Sequence, residues 1–90
     1  MMEIRAIIGW NLRRLRVAKG LSQERLALES GIDRAYVGRV ERGSENVTVS
    51  TLEAFANVLG VRVSALFRDI DPDEPTPEPL KAGRKRRSMN

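Results

Sequence analysis

The chain contains no cysteine and no histidine. The first absence excludes disulfides, thiolate nucleophiles and thiolate zinc sites. The second removes the commonest general base and the commonest metal ligand. Aromatic residues make up only 4% of the 90 positions, so a core must be mostly aliphatic. No apolar run approaches the ~20 residues needed to span a bilayer. The opening MMEIRAIIGWNLRRLR turns charged before a signal-peptide core develops. The expectation is a soluble, cytoplasmic protein with no cofactor, no metal and no membrane partner.

Sixteen basic residues against 12 acidic ones leave a net charge of +4, which is compatible with a polyanionic partner without requiring one. Ninety residues allow one small domain. No segment alternates as a strand does. Ile4, Ile8, Leu12 and Leu15 recur at helical spacing over Glu3 to Lys19, and Gly20 is a plausible stop. Ser22 reads as the N-cap of a second helix that buries Leu26 and Ala27 and ends at Gly31. Asp33 caps a third, Arg34 to Arg42, closed by Gly43. Ser50-Thr51-Leu52-Glu53 matches a capping box and opens a fourth helix through Leu59, with Leu52, Phe55, Ala56 and Leu59 as its apolar stripe. Ser64 is positioned to cap a last short helix.

The expected fold is therefore all-α, a five-helix domain over residues 1–68. All four prolines fall in the segment from Asp69 to Pro79, which is acidic, and Gly83-Arg84-Lys85-Arg86-Arg87 follows. That composition cannot continue a helix or build a core, so residues 69–90 read as a disordered tail. Its basic run is either a solvated end or a non-specific DNA-binding arm.

The third helix carries the most pointed pattern. At 100° per residue Val37 and Val40 face the same way, toward a core, with Ala35, Gly38, Arg39 and Arg42 opposite and Arg34 at the edge. Glycine within a helix costs about 1 kcal/mol against alanine. Small residues framed by arginines suit a face that another surface approaches closely. Guanidinium groups there fit phosphate oxygens or the N7/O6 edge of guanine. The competing reading is an arbitrary basic face with a tolerated glycine.

The preceding helix and the tight Ser30-Gly31-Ile32 connection make a helix-turn-helix pattern. The residues Leu21-Ser22-Gln23-Glu24-Arg25-Leu26-Ala27, then Ser30-Gly31-Ile32, then Tyr36-Val37-Gly38-Arg39-Val40-Glu41-Arg42-Gly43 resemble the Xre/Cro-type, phage-repressor-like family. Leu52 through Leu59 and Gly60-Val61-Arg62-Val63-Ser64-Ala65-Leu66-Phe67 extend the resemblance, which covers roughly residues 8 to 67.

The resemblance implies base-facing positions at Arg34, Ala35, Gly38 and Arg39. It implies phosphate contacts at Ser22, Gln23, Tyr36, Arg42, Ser44 and Asn46, and a salt bridge from Arg16 to Glu41 that ties helix one to helix three. Gln23 looks like the family's glutamine that binds a phosphate and braces the recognition helix. The residues alone leave Gln23 as a first-turn helix residue and Glu41 as a solvated acid or a paired one. Trp10 reads as a packing residue. Arg34 and Arg39 stand where glutamine is usual in the family, which favours guanine over a transferred operator sequence.

Val58, Val61, Val63, Leu66 and Phe67 offer more apolar surface than so small a domain needs, and mark a candidate dimer interface. The leading expectation is a sequence-specific DNA-binding regulator, a homodimer on a two-fold operator. Restriction–modification controllers, antitoxins and phage-type repressors all share this format. A protein-interaction adapter using the same basic face is the alternative. An enzyme is the weakest option, because the acids are scattered along helix surfaces, and no small-molecule effector site is evident.

Overall fold

Short polar side chains set where the helices begin. In the computed structural model, which describes residues 3–71 and 73, helix α1 (Ile4–Ala18) follows an extended Glu3. The Ser22 hydroxyl accepts the Arg25 N–H at 3.0 Å and starts α2 (Gln23–Ser30). Asp33 accepts from both Ala35 N–H (3.1 Å) and Tyr36 N–H (3.3 Å) and starts α3 (Arg34–Glu41). Caps of this kind stabilise a helix by about 1 kcal/mol each.

Gly31 lies at φ 72°, a left-handed conformation that lets α3 leave α2 within three residues. The end of α3 is closed by paired bonds, Gly43 N–H to Val40 O (3.0 Å) and Ser44 N–H to Arg39 O (3.0 Å). Gly43, at φ 76°, also packs against the Ala6 backbone, so a side chain there would be both strained and crowded.

Two boundaries differ from the sequence expectation. Helix α4 spans Val49–Leu59, and its cap is Thr48, whose Oγ1 accepts the Thr51 N–H at 3.2 Å. The helix therefore begins two residues earlier than expected, and Ser50 lies inside its first turn. The fifth element is a 3₁₀ turn, Val63–Phe67, not an α-helix. Arg62 precedes it without a side-chain cap, so Ser64 lies inside the turn. The fold among the described residues is thus four α-helices and one 3₁₀ turn, with no strand. Except for residues 69–71 and 73, the tail expected to be disordered, with its basic run, lies outside the described residues.

Leu12, Leu26, Val37, Val40, Phe55 and Leu66 are fully buried, and Ile8, Ala27, Leu52, Ala56 and Leu59 complete the core. Every element contributes, so no helix is stable alone. Leu66 corrects an expectation: assigned to a dimer surface, it is 0% exposed and belongs to this core. It is held there by a residue the sequence reading passed over. Asn11, wholly buried on α1, directs its amide Nδ2 to the carbonyls of Ile7 (3.1 Å), Leu66 (3.1 Å) and Arg68 (2.8 Å). An asparagine amide satisfies carbonyls that the short turn leaves without helical partners.

The backbones of α1 and α3 approach closely at Gly9. A Cβ built on Gly9 would collide with the carbonyl oxygen of Val40 and lie 2.7 Å from that of Glu41. Both obstacles are backbone, so neither can swing aside. Gly9→Ala should therefore destabilise the domain by about 1–3 kcal/mol despite alanine's better helix propensity. Urea unfolding checks this; an unchanged or raised midpoint would show that α1 and α3 separate freely.

Candidate nucleic-acid interface

Helices α2 and α3 form the helix-turn-helix, and the position of α3 is set from beneath. Val37 and Val40 anchor its inner side in the core. At its end, Glu41 receives three side-chain hydrogen bonds. Arg16 Nε donates to Oε2 (2.6 Å), Arg16 Nη2 to Oε1 (3.0 Å), and Gln23 Nε2 to Oε1 (2.9 Å). Arg16 Nη1 also donates to the Leu21 carbonyl at 2.8 Å. Both side chains of the pair are only 4% exposed. One carboxylate thus joins α1, the start of α2 and the end of α3. Its bidentate geometry is the strong form of such a pair.

Gln23 is turned inward to this carboxylate, and the Ser22 hydroxyl is spent on capping α2. Both stand at the same helix N-terminus. Arg34 and Ala35 are exposed at the start of α3, where Arg34 makes no hydrogen bond or ion pair with the described residues. Arg39 is engaged: its Nε donates to Glu45 Oε1 at 2.7 Å, and its Cζ lies 5.6 Å from the Tyr36 ring centroid. The Glu45 hydrogen bond is the main cause that raises the guanidinium pKa above its already high ordinary value. Ser44 Oγ donates to the Arg39 carbonyl (3.1 Å), and Asn46 Oδ1 accepts from Arg5 Nη1 (3.3 Å).

Gly38 corrects the picture of an open, small face. It is buried, and a Cβ there would meet Arg42 Nη1 at 3.2 Å. The Arg42 side chain folds back along α3 and fills the room that glycine leaves. Arg42 itself is the residue that follows the helix, which ends at Glu41. Clearance on this face therefore requires Arg42 to move.

The remaining apolar candidates lie away from α3. Val58, Val61 and Val63 are partly buried against the core, and Phe67 is 39% exposed. Trp10 is half-buried on α1, and its indole N–H has no hydrogen-bond partner among the described residues. Glu45 and Arg5 shape the loop after α3 and Gly9 lies under the end of α3, while Asn11 holds the 3₁₀ turn; the sequence reading singles out none of them. The signal for Gly9 was present, a glycine inside a strongly periodic helix; Glu45 offered only a polar loop.

No group of acidic residues among the described positions could hold a metal ion, and no helix there is long and apolar enough to cross a membrane.

Residues 12–66 match the helix-turn-helix family HTH_3, and the chain belongs to that family of DNA-binding transcriptional regulators. A hypothetical transcription factor of Neisseria meningitidis serogroup B is 48% identical over 65 residues, 72% of this chain and 61% of its own length. The control protein C.SmaI of Serratia marcescens is 46% identical over 66 residues, 73% of this chain and 79% of that protein. Among solved structures, the restriction-modification controller protein C.AhdI of Aeromonas hydrophila shares 49% identity with a TM-score of 0.68. That similarity covers 70% of this chain and 96% of that one.

Removing Glu41 leaves a buried guanidinium with no counter-charge. Glu41→Ala should lower the unfolding free energy by about 3–5 kcal/mol. Denaturant titration measures this, and a loss under about 1 kcal/mol would mean that the pair is solvated.

Proposed function

We propose that the protein is a homodimeric regulator that binds a two-fold DNA operator, with α3 and its following residue Arg42 in the major groove. The observation that carries this reading is α3 itself. Its inner side is pinned by Val37, Val40 and the Glu41 network, and its outer side presents Arg34, Ala35 and Arg39. A fixed helix with an exposed basic face is what direct readout of base edges requires. Arg34 and Arg39 are the base readers, Ala35 supplies methyl contact, and Gly38 lets Arg42 lie low on the helix. Tyr36, Arg42, Ser44 and Asn46 are the proposed phosphate contacts, joined by Ser22 and Gln23 through the N-terminus of α2, where both stand. Such a protein works on the chromosome, in the cytoplasm, without cofactor, small-molecule effector or catalytic activity.

A controller of restriction–modification genes is the more specific form of this reading. Its support is the similarity to control proteins from Serratia and Aeromonas at 46% and 49% identity.

Sites selected from random DNA and measured by gel shift test the reading. The selected site should be a two-fold repeat, with half-sites about one helical turn apart. Binding should exceed that to random DNA by ~10³ or more. Equal binding to all sequences, or capture of acidic proteins only, would replace the regulator by an adapter. Arg39→Ala should cost about 1–3 kcal/mol on the selected site and relax preference at one base position. An equal loss on random DNA would make Arg39 a phosphate contact.

One helix-turn-helix reads few base pairs, so specificity calls for two copies. With Leu66 withdrawn into the core, the proposed interface reduces to Val58, Val61, Val63 and Phe67. Phe67→Glu should shift sedimentation at tens of micromolar toward the monomer and weaken binding to the full site far more than to a half-site. A wild-type protein that sediments as a monomer at that concentration would remove the dimer from the proposal.

A further inference from the structure

We propose that Glu45 is a specificity-determining positioning residue, which holds Arg39 so that the Nη1–Nη2 edge of its guanidinium meets a single guanine. The inference rests on the DNA-reading role of α3 and assigns the chemistry of one of its contacts.

Three contacts converge on Arg39. Glu45 Oε1 takes its Nε–H at 2.7 Å, from the side of the guanidinium away from the tip. Arg39 Cζ lies over the Tyr36 ring, 5.6 Å from the centroid. The Arg39 carbonyl accepts from both the N–H and the hydroxyl of Ser44 (3.0 and 3.1 Å), the residue just before Glu45. The loop that carries the carboxylate is therefore fastened to the same residue whose side chain it holds. Glu45 is the more covered partner, with its side chain 25% exposed against 45% for Arg39.

This arrangement leaves a defined set of donors. With Nε occupied, Nη1 and Nη2 make no hydrogen bond among the described residues. Their end-on edge presents two parallel N–H groups, the complement of guanine O6 and N7. Arginine is flexible, and fixing it before binding reduces the entropy lost on contact. Arg34, by contrast, has no such restraint on the same helix. A carboxylate next to the proposed DNA face also carries an electrostatic cost, since it opposes the phosphates. Positioning of Arg39 is the compensating gain.

The experiment compares Glu45→Ala and Glu45→Gln with wild type. The probes are the duplex selected by wild type from random DNA, the set of its single-base-pair substitutions, and random DNA. Both variants remove a negative charge, so both should bind random DNA more tightly than wild type. Glutamine keeps an oxygen that accepts from Nε, whereas alanine does not. Glu45→Ala should therefore lose roughly tenfold in discrimination at one guanine position, and Glu45→Gln should keep most of it. In an Arg39→Ala background, Glu45→Ala should change discrimination no further.

If alanine and glutamine behave alike at that guanine, Glu45 acts through charge only, and the inference is overturned. Unchanged discrimination in Glu45→Ala would show that Glu45 does not position Arg39, and sharper discrimination that it sequesters Arg39; either overturns the inference. The two levels of the argument remain distinguishable: a wild type without sequence preference overturns the regulator reading itself, whereas a selective wild type with an unaffected Glu45→Ala overturns only the role of Glu45.

Discussion

A carboxylate and a guanidinium, both almost out of water, hold this domain in register. Burying two charges is costly, and the Arg16–Glu41 pair is tolerated because its geometry is bidentate and its remaining sites are filled by Gln23 and the Leu21 carbonyl. The pair adds directional constraint to a core whose aliphatic contacts are not directional. Aliphatic packing alone would let α3 slide or rotate by small amounts. A three-way hydrogen-bond junction at its last residue does not.

The exposed side of α3 is more structured than a row of solvated arginines. Arg42 lies against Gly38, Arg39 is clamped by Glu45 and Tyr36, and only Arg34 is unrestrained by the described residues. Three arginines of equal formal charge therefore occupy three different physical states. Composition assigns them one property, net positive charge, but their neighbours give each a separate conformational freedom.

How far the sequence reveals this depends on the range of each interaction. Caps act over two or three residues, so Ser22 and Asp33 are legible from local spacing. Helical periodicity is equally local, and it places Val37 and Val40 inside. Thr48 was missed because Ser50 and Glu53 make a competing pattern within the same turn, and only the fold decides which amide is free. Leu66 shows a longer-range limit: its side chain packs in a core shared by all the helices, and its carbonyl is held by Asn11, 55 residues away. The two glycines show the same limit. Gly38 drew notice through its setting among arginines, yet a Cβ there meets only the movable end of Arg42. Gly9 stands inside a strongly periodic helix, and two fixed carbonyl oxygens from another helix stand over it. Spacing along the chain identifies a face; it does not identify what stands opposite.

The contact at Gly9 has a mechanical consequence. Backbone rests on backbone there, with no side-chain layer between α1 and the end of α3 to absorb a relative shift. A reading head mounted this stiffly adapts little to an imperfect groove. On the proposed operator the accommodation would fall on the duplex, whose resistance to bending and groove compression varies with sequence. Bases that no side chain reaches would then influence affinity through their stiffness. On the proposed operator, a missing methyl group in the first helix would then help decide which DNA sequences are easy to bind.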